Sequence, residues 1–128
     1  MKKLMTMKKE FVIQIQSVKD SLRDFAKVYK KLERGEKINP VEKLTFTNIN
    51  DFRKFITGKR LELLKTIKQK NPNSIQQLAK MLNRDYKSIN IDLQILQKMD
   101  LVSKKRENNK TVLEVNYSEI GIKIPLMN

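Results

Sequence analysis

Residues 74–102 read SIQQLAKMLNRDYKSINIDLQILQKMDLV, and this stretch decides the fold. Ser74 and Gln77 are spaced as a capping box, in which the Ser side chain bonds a free helix N–H and the Gln reaches back. Ile75, Leu78, Ala79 and Leu82 then recur on one helical face. Asn83 and Arg84 interrupt the pattern. Asp85 can cap a second helix whose apolar face is Ile89, Leu93 and Leu96, with Met99 closing it. A short helix, a tight turn and a second helix make the helix-turn-helix pattern. Two amphipathic helices joined by a short turn also occur in ordinary helical domains, so the spacing alone leaves both readings open.

The following residues favour one of them. Leu101–Arg106 (LVSKKR) predicts a strand, Asn108-Asn109 a tight turn, and Thr111–Tyr117 (TVLEVNY) a returning strand with Leu113, Val115 and Tyr117 on one face. Lys104, Lys105, Arg106 and Lys110 cluster near the hairpin tip. A basic hairpin directly after a helix-turn-helix is the winged-helix arrangement, with the wing expected against the DNA backbone or the minor groove. On the second helix Lys87, Ser88, Asn90, Ile91 and Gln94 point outward. Lys, Asn and Gln are side chains that reach phosphates and base edges. Ser74, Gln76 and Arg84, at the first helix and the turn, complete the expected DNA-binding set.

Composition agrees with a polyanion partner. The chain has 28 Lys+Arg against 14 Asp+Glu, a net charge of +14 and a pI near 10.0, and such a protein attracts phosphate non-specifically. Residues 1–58 hold 14 basic and 7 acidic side chains, residues 59–110 hold 13 and 5, and residues 111–128 hold 1 and 2. The excess therefore extends into the N-terminal half, where solvated lysines are the ordinary explanation. There is no Cys and no His. That excludes disulfides and thiolate metal sites, and it removes the usual general base and commonest metal ligand. No apolar run is long enough to span a bilayer, and a cytoplasmic protein without cofactor or metal is expected.

Outside the decisive stretch, Phe11, Ile13 and Ile15 alternate with Val12, Gln14 and Gln16, predicting a strand. Val18, Leu22, Phe25, Tyr29 and Leu32 recur at intervals of four, three, four and three. This predicts a helix ending near Gly35, its stripe serving as a core or dimer seam. A basic amphipathic helix lying on a membrane is the weaker reading of the same stripe. Glu36–Glu42, with Pro40, is a connector, and Lys43–Thr47 a short strand. Asn50 or Asp51 can cap a helix with Phe52, Phe55 and Ile56. Thr57 can cap another, with Leu61, Leu64 and Ile67 inward, running to Lys70 before Asn71-Pro72-Asn73. Ile120, Ile122, Ile124 and Leu126 alternate with Gly121, Lys123 and Pro125, as in a half-buried strand. This strand and Phe11–Ile15 each carry an apolar face. They are expected to pair with each other or across a dimer, with the Val18–Leu32 helix packed on them.

Residues 52–126 look like the MarR/ArsR-type winged helices. They resemble more closely a family of small DNA-binding proteins of archaea and bacteria. The resemblance is carried by FITGKRLELLKTIKQKNPNSIQQLAKMLNRDYKSINIDLQILQKMDLV, by the tail NYSEIGIKIPL and by the earlier LERGEKINPVEKLTFTNINDF. Some similar proteins look like the antitoxin half of a type II toxin–antitoxin pair (TumA-like). Two departures stand out: Ile91 replaces a polar or basic residue, and Asp100 stands where Gly often ends the second helix.

Enzyme readings rank below these. Asp20 and Asp24 lie four apart, but Lys19, Arg23 and Lys27 interleave with them, as on a solvated salt-bridged face. With three Gly, at Gly35, Gly58 and Gly121, there is no Gly-rich phosphate loop. The expectation is an α+β chain. Residues 1–50 form an N-terminal β-α-β arm for dimerisation or partner binding, and residues 51–128 a winged helix-turn-helix with a C-terminal strand. The expected function is a sequence-specific DNA-binding transcriptional regulator, a homodimeric repressor acting on double-stranded DNA. The alternatives are an antitoxin that binds a protein toxin and autoregulates its operon, and a nucleoid-type protein without sequence choice.

Overall fold

The computed structural model describes residues 9–37 and 43–126; the connector around Pro40 lies largely outside them. Five strands and five helices are present among these residues. In chain order they are β1 (Glu10–Ile15), α1 (Val18–Glu33), β2 (Lys43–Phe46), α2 (Ile49–Phe55), α3 (Gly58–Lys70), α4 (Ile75–Leu82), α5 (Tyr86–Lys98), β3 (Ser103–Glu107), β4 (Lys110–Glu114) and β5 (Glu119–Lys123). The class is α+β. The chain divides into two compact units, Met1–Lys54 with Ser118–Asn128, and Phe55–Tyr117. The C-terminal strand thus groups with the N-terminal elements, not with the helices that precede it.

In the first unit, β1 is the central strand of a three-stranded sheet and runs parallel to both β2 and β5. Phe11 stands opposite Ile120 and Ile13 opposite Ile122, so the two strands read as apolar do pair. Alternation in the sequence predicts one buried face, yet Val12 and Gln16 are buried as well as Phe11, Ile13 and Ile15. A central strand between parallel neighbours is commonly covered on both sides. β5 is an edge strand, and Ile122 and Ile124 remain exposed. α1 starts on the Ser17 hydroxyl, which accepts the Asp20 N–H at 3.2 Å. It ends where Gly35, at φ 76°, donates to the Leu32 carbonyl and Glu36 to the Lys31 carbonyl. This is the left-handed stop expected of Gly. The expected packing of its stripe is not seen, for α1 buries no residue. Its polar side is the one engaged: the buried Gln16 amide donates to Asp24 at 2.8 Å. α2 is capped by Asn48, whose side chain accepts the Asp51 N–H at 2.9 Å, two positions before the expected Asn50. Phe52 of α2 meets Phe46 of β2 edge to face, with centroids 5.8 Å apart.

The second unit is built from three helices and a hairpin. Leu63, Ile67, Leu78, Ile89, Leu93, Leu96 and Leu101 are its fully buried centre. On α3 the inward face is Leu63, Leu64 and Ile67, whereas Leu61 is exposed. Both spacings satisfy a helical stripe, and only docking within the folded unit selects between them. Three turns end helices on a left-handed residue other than Gly: Asn71 after α3, Asn83 after α4 and Asp100 after α5. Asn and Asp tolerate this region better than other residues, through local side-chain hydrogen bonds. Asp100 donates its N–H to the Gln97 carbonyl, and Leu101 donates to the Leu96 carbonyl, both at 3.0 Å. These are the two bonds of a Schellman stop, with buried Leu96 and Leu101 as its apolar partners. The left-handed backbone still costs Asp what it does not cost Gly. Asp100→Gly is therefore expected to raise stability by about 1 kcal/mol, read as a higher urea midpoint at unchanged slope.

β3 and β4 pair antiparallel through Asn108 and Asn109, both at positive φ. This is the two-residue hairpin turn whose twist matches the strands. The strand bounds shift by one to three residues from the expectation: β3 begins at Ser103, not Leu101, and β4 ends at Glu114, not Tyr117.

Candidate nucleic-acid interface

The turn between α4 and α5 is three residues, Asn83 to Asp85. Asp85 caps α5 twice. Its carboxylate accepts the Ser88 N–H at 3.0 Å and the Ser88 hydroxyl at 2.8 Å. The Ser88 backbone N–H first, and then its hydroxyl, hold the Asp85 carboxyl below its ordinary value of 3.8. A carboxyl with a depressed folded pKa stabilises fully above its unfolded pKa and ceases to do so as pH falls through the folded one. Asp85→Asn keeps a capping oxygen but does not titrate. Wild type and variant should therefore unfold alike at neutral pH. Below about 3.8 wild type should lose more stability than the variant, as read by urea midpoints across pH.

At the start of α4, the Ser74 hydroxyl accepts the Gln77 N–H at 3.0 Å, and Gln77 reaches back to the Asn73 N–H. The reciprocal cap is thus present with its return bond one residue earlier than a capping box places it. Gln76 stands exposed beside it.

The structure sorts the sequence-derived residues into three groups. Lys87, Ile91 and Gln94 are exposed on α5 and Asn90 is half-buried, at positions that share one helical face. Ser88 lies at the edge of this face with its hydroxyl proton committed to Asp85. Arg84 is turned inward instead. Its guanidinium donates to Asp92 at 2.8 Å, and Arg60 of α3 donates to the same carboxylate at 3.1 Å. All three side chains are largely buried, and Arg84 Nη1 has no hydrogen-bond partner. Arg84 thereby holds α5 to the turn and stands away from the exposed face.

The third group is on the hairpin. Lys104 and Arg106 share one face of β3, and Lys105 lies on the other. Lys105 pairs with Glu114 at 3.3 Å. Arg106 and Lys110 form no ion pair among the described residues. They line an open groove of about 400 Å³ with Asn109 and Thr111 on the hairpin side. Asn73, Ser74, Ile75 and Gln76 line it from the start of α4, and Tyr86 from the start of α5. The groove brings together two cations, amide and hydroxyl donors and a helix N-terminus, with no carboxylate among its lining residues. Such a lining favours an anion. Asn73, Ile75, Tyr86, Asn109 and Thr111 are its members outside the DNA-binding set expected from sequence. Tyr86 carried a signal: an aromatic residue directly after a cap, outside the apolar stripe, is exposed.

The chain belongs to the HVO_A0114 family, whose model matches residues 55–122, more than half of its length. No curated protein matches it in sequence. No helix among the described residues is long and apolar enough to cross a membrane.

Proposed function

We propose that Phe55–Tyr117 is a winged helix of the MarR/ArsR type and that the protein is a sequence-specific, DNA-binding transcriptional regulator acting as a homodimeric repressor. The observation that carries this is the carboxylate-free groove between the α4 N-terminus and the hairpin tip, lined by Arg106 and Lys110, beside the exposed Lys87, Ile91 and Gln94 of α5. A phosphodiester seated in that groove fixes the register, and α5 then enters the major groove, where repression follows from occupancy. Asn90 and Gln94 suit adenine N6 and N7, and Ile91 suits a thymine methyl. With Arg84 held by Asp92, no arginine stands on this face to read guanine. An A/T-biased half-site follows, repeated about one helical turn away in a dimer.

Selection of bound sequences from random duplexes tests the reading, followed by binding to the selected site. Asn90→Ala and Gln94→Ala are each expected to cost about 1–3 kcal/mol on that site and to relax base choice at one position. Their affinity for random DNA should hold, since neither is a charge contact. Recovery of no preferred sequence, with salt-dependent binding to every duplex, would assign the chain to non-specific packaging of DNA. The antitoxin reading draws on a different observation, the uncovered apolar stripe of α1. A partner protein is one of its candidate occupants.

A further inference from the structure

Val18, Leu22, Phe25, Val28, Tyr29 and Leu32 of α1 are 41–67% exposed, and α1 buries none of its residues. Six such side chains on one 16-residue helix form a continuous apolar face about 24 Å long. Fully presented aromatic side chains such as Phe25 and Tyr29 offer roughly 150–250 Å² each, and the smaller Leu and Val less. Their exposed fractions leave on the order of 600 Å² per helix and about 1,200 Å² for two, the lower bound for a specific interface.

The spacing identifies the occupant. Intervals of four, three, four and three follow the 3.5-residue period of a two-helix seam, narrower than the stripe of a helix laid on a sheet. In heptad terms Leu22 and Tyr29 are a positions, and Val18, Phe25 and Leu32 are d positions. The flanking e positions are Lys19, Ala26 and Glu33, and the g positions Ser21 and Val28. We infer that α1 pairs antiparallel with α1 of a second copy of this chain. Leu22 then meets the partner's Leu32, and Phe25 meets the partner's Tyr29. In that register e faces e, so Lys19 lies beside the partner's Glu33 and Ala26 beside the partner's Ala26 near the two-fold axis. A parallel pair sets g against e, placing Val28 beside the partner's Glu33 and Ser21 beside the partner's Ala26, with no opposite charges meeting. Antiparallel helices also align their dipoles favourably. The inference specifies the homodimer of the reading above, and it does not depend on DNA.

Sedimentation equilibrium of the full chain should give twice the 15.1 kDa monomer mass. Phe25→Glu should raise the dimer dissociation constant more than 100-fold. Its side chain is already exposed, so the variant should remain folded, with an unchanged far-UV circular dichroism spectrum, and lose only the stability that association supplies. Lys19→Glu should weaken the dimer several-fold although it improves the charge at the helix N-terminus, and Lys19→Glu with Glu33→Lys should restore it. A monomeric wild type overturns the inference, as does a dimer indifferent to Phe25→Glu. Lys19→Glu alone without effect, or a double swap that restores nothing, overturns the antiparallel register. A monomer that binds vesicles of phosphatidylcholine and phosphatidylserine through Phe25 would make α1 a membrane-surface helix instead. An intact dimer that binds no DNA would strike the functional reading alone.

Discussion

Asp92→Ala is expected to destabilise the Phe55–Tyr117 unit by about 3–5 kcal/mol, the range for removing one partner of a buried ion pair. Asp92 accepts from Arg84 at 2.8 Å and from Arg60 at 3.1 Å, and the three side chains retain only 12–17% of their exposure. Without the carboxylate, both guanidinium groups lose this charged partner while staying buried, and Arg84 Nη1 already lacks a hydrogen-bond partner. The loss exceeds that of a surface pair such as Lys105 with Glu114, worth at most about 1 kcal/mol. Urea unfolding reads the difference. Asp92→Leu combined with Arg84→Met should be milder than Asp92→Ala, because it removes a charge along with its counter-charge. A loss under about 1 kcal/mol for Asp92→Ala would mean that water reaches the guanidiniums. Arg84→Ala should likewise act on stability and leave the salt dependence of DNA binding nearly intact.

Arg106→Ala with Lys110→Ala is expected to weaken binding to specific and random duplexes alike, by about 100-fold at 0.1 M salt. Each phosphate contact contributes about 0.9 to the slope of log affinity against log salt. The double variant should therefore lose about 1.8, measured by fluorescence anisotropy across a salt series. Lys105→Ala is the internal control. Its ammonium is engaged by Glu114 on the other face of the hairpin, so its slope should change little. Equal effects of the two variants would show that the groove is not where phosphate sits and that the hairpin acts as a diffuse charge.

Much of the local structure is legible along the chain because each signal is local. Ser17, Thr57, Ser74 and Asp85 all accept an N–H three residues on, as residues of these types do at helix starts. Gly35 and the Asn108-Asn109 pair carry the backbone conformations their turns require. The exposed face of α5 follows from its apolar stripe, since burying Ile89, Leu93 and Leu96 leaves Lys87, Ile91 and Gln94 outside.

Charge is less legible, because a cation's availability depends on what lies near it in space. Arg84, Lys105 and Arg106 look equivalent as letters. Asp92 claims Arg84, Glu114 claims Lys105, and Arg106 alone of the three lines the groove. The partners are 8 and 9 residues away, and the strand register that brings Glu114 across to Lys105 is a property of the hairpin.

Taken by itself, the sequence determined the helix starts, most helix stops, the hairpin turn, the apolar faces and the basic excess, since nearest-neighbour sterics and hydrophobic period act within a few residues. Only the tertiary structure decided three matters. It joined β5 to β1, across more than 100 residues of chain. It chose Leu63 over Leu61 as the inward residue of α3. It left the α1 stripe uncovered within one copy. Each depends on which surfaces meet, and a one-dimensional pattern marks a surface as apolar without naming what will cover it.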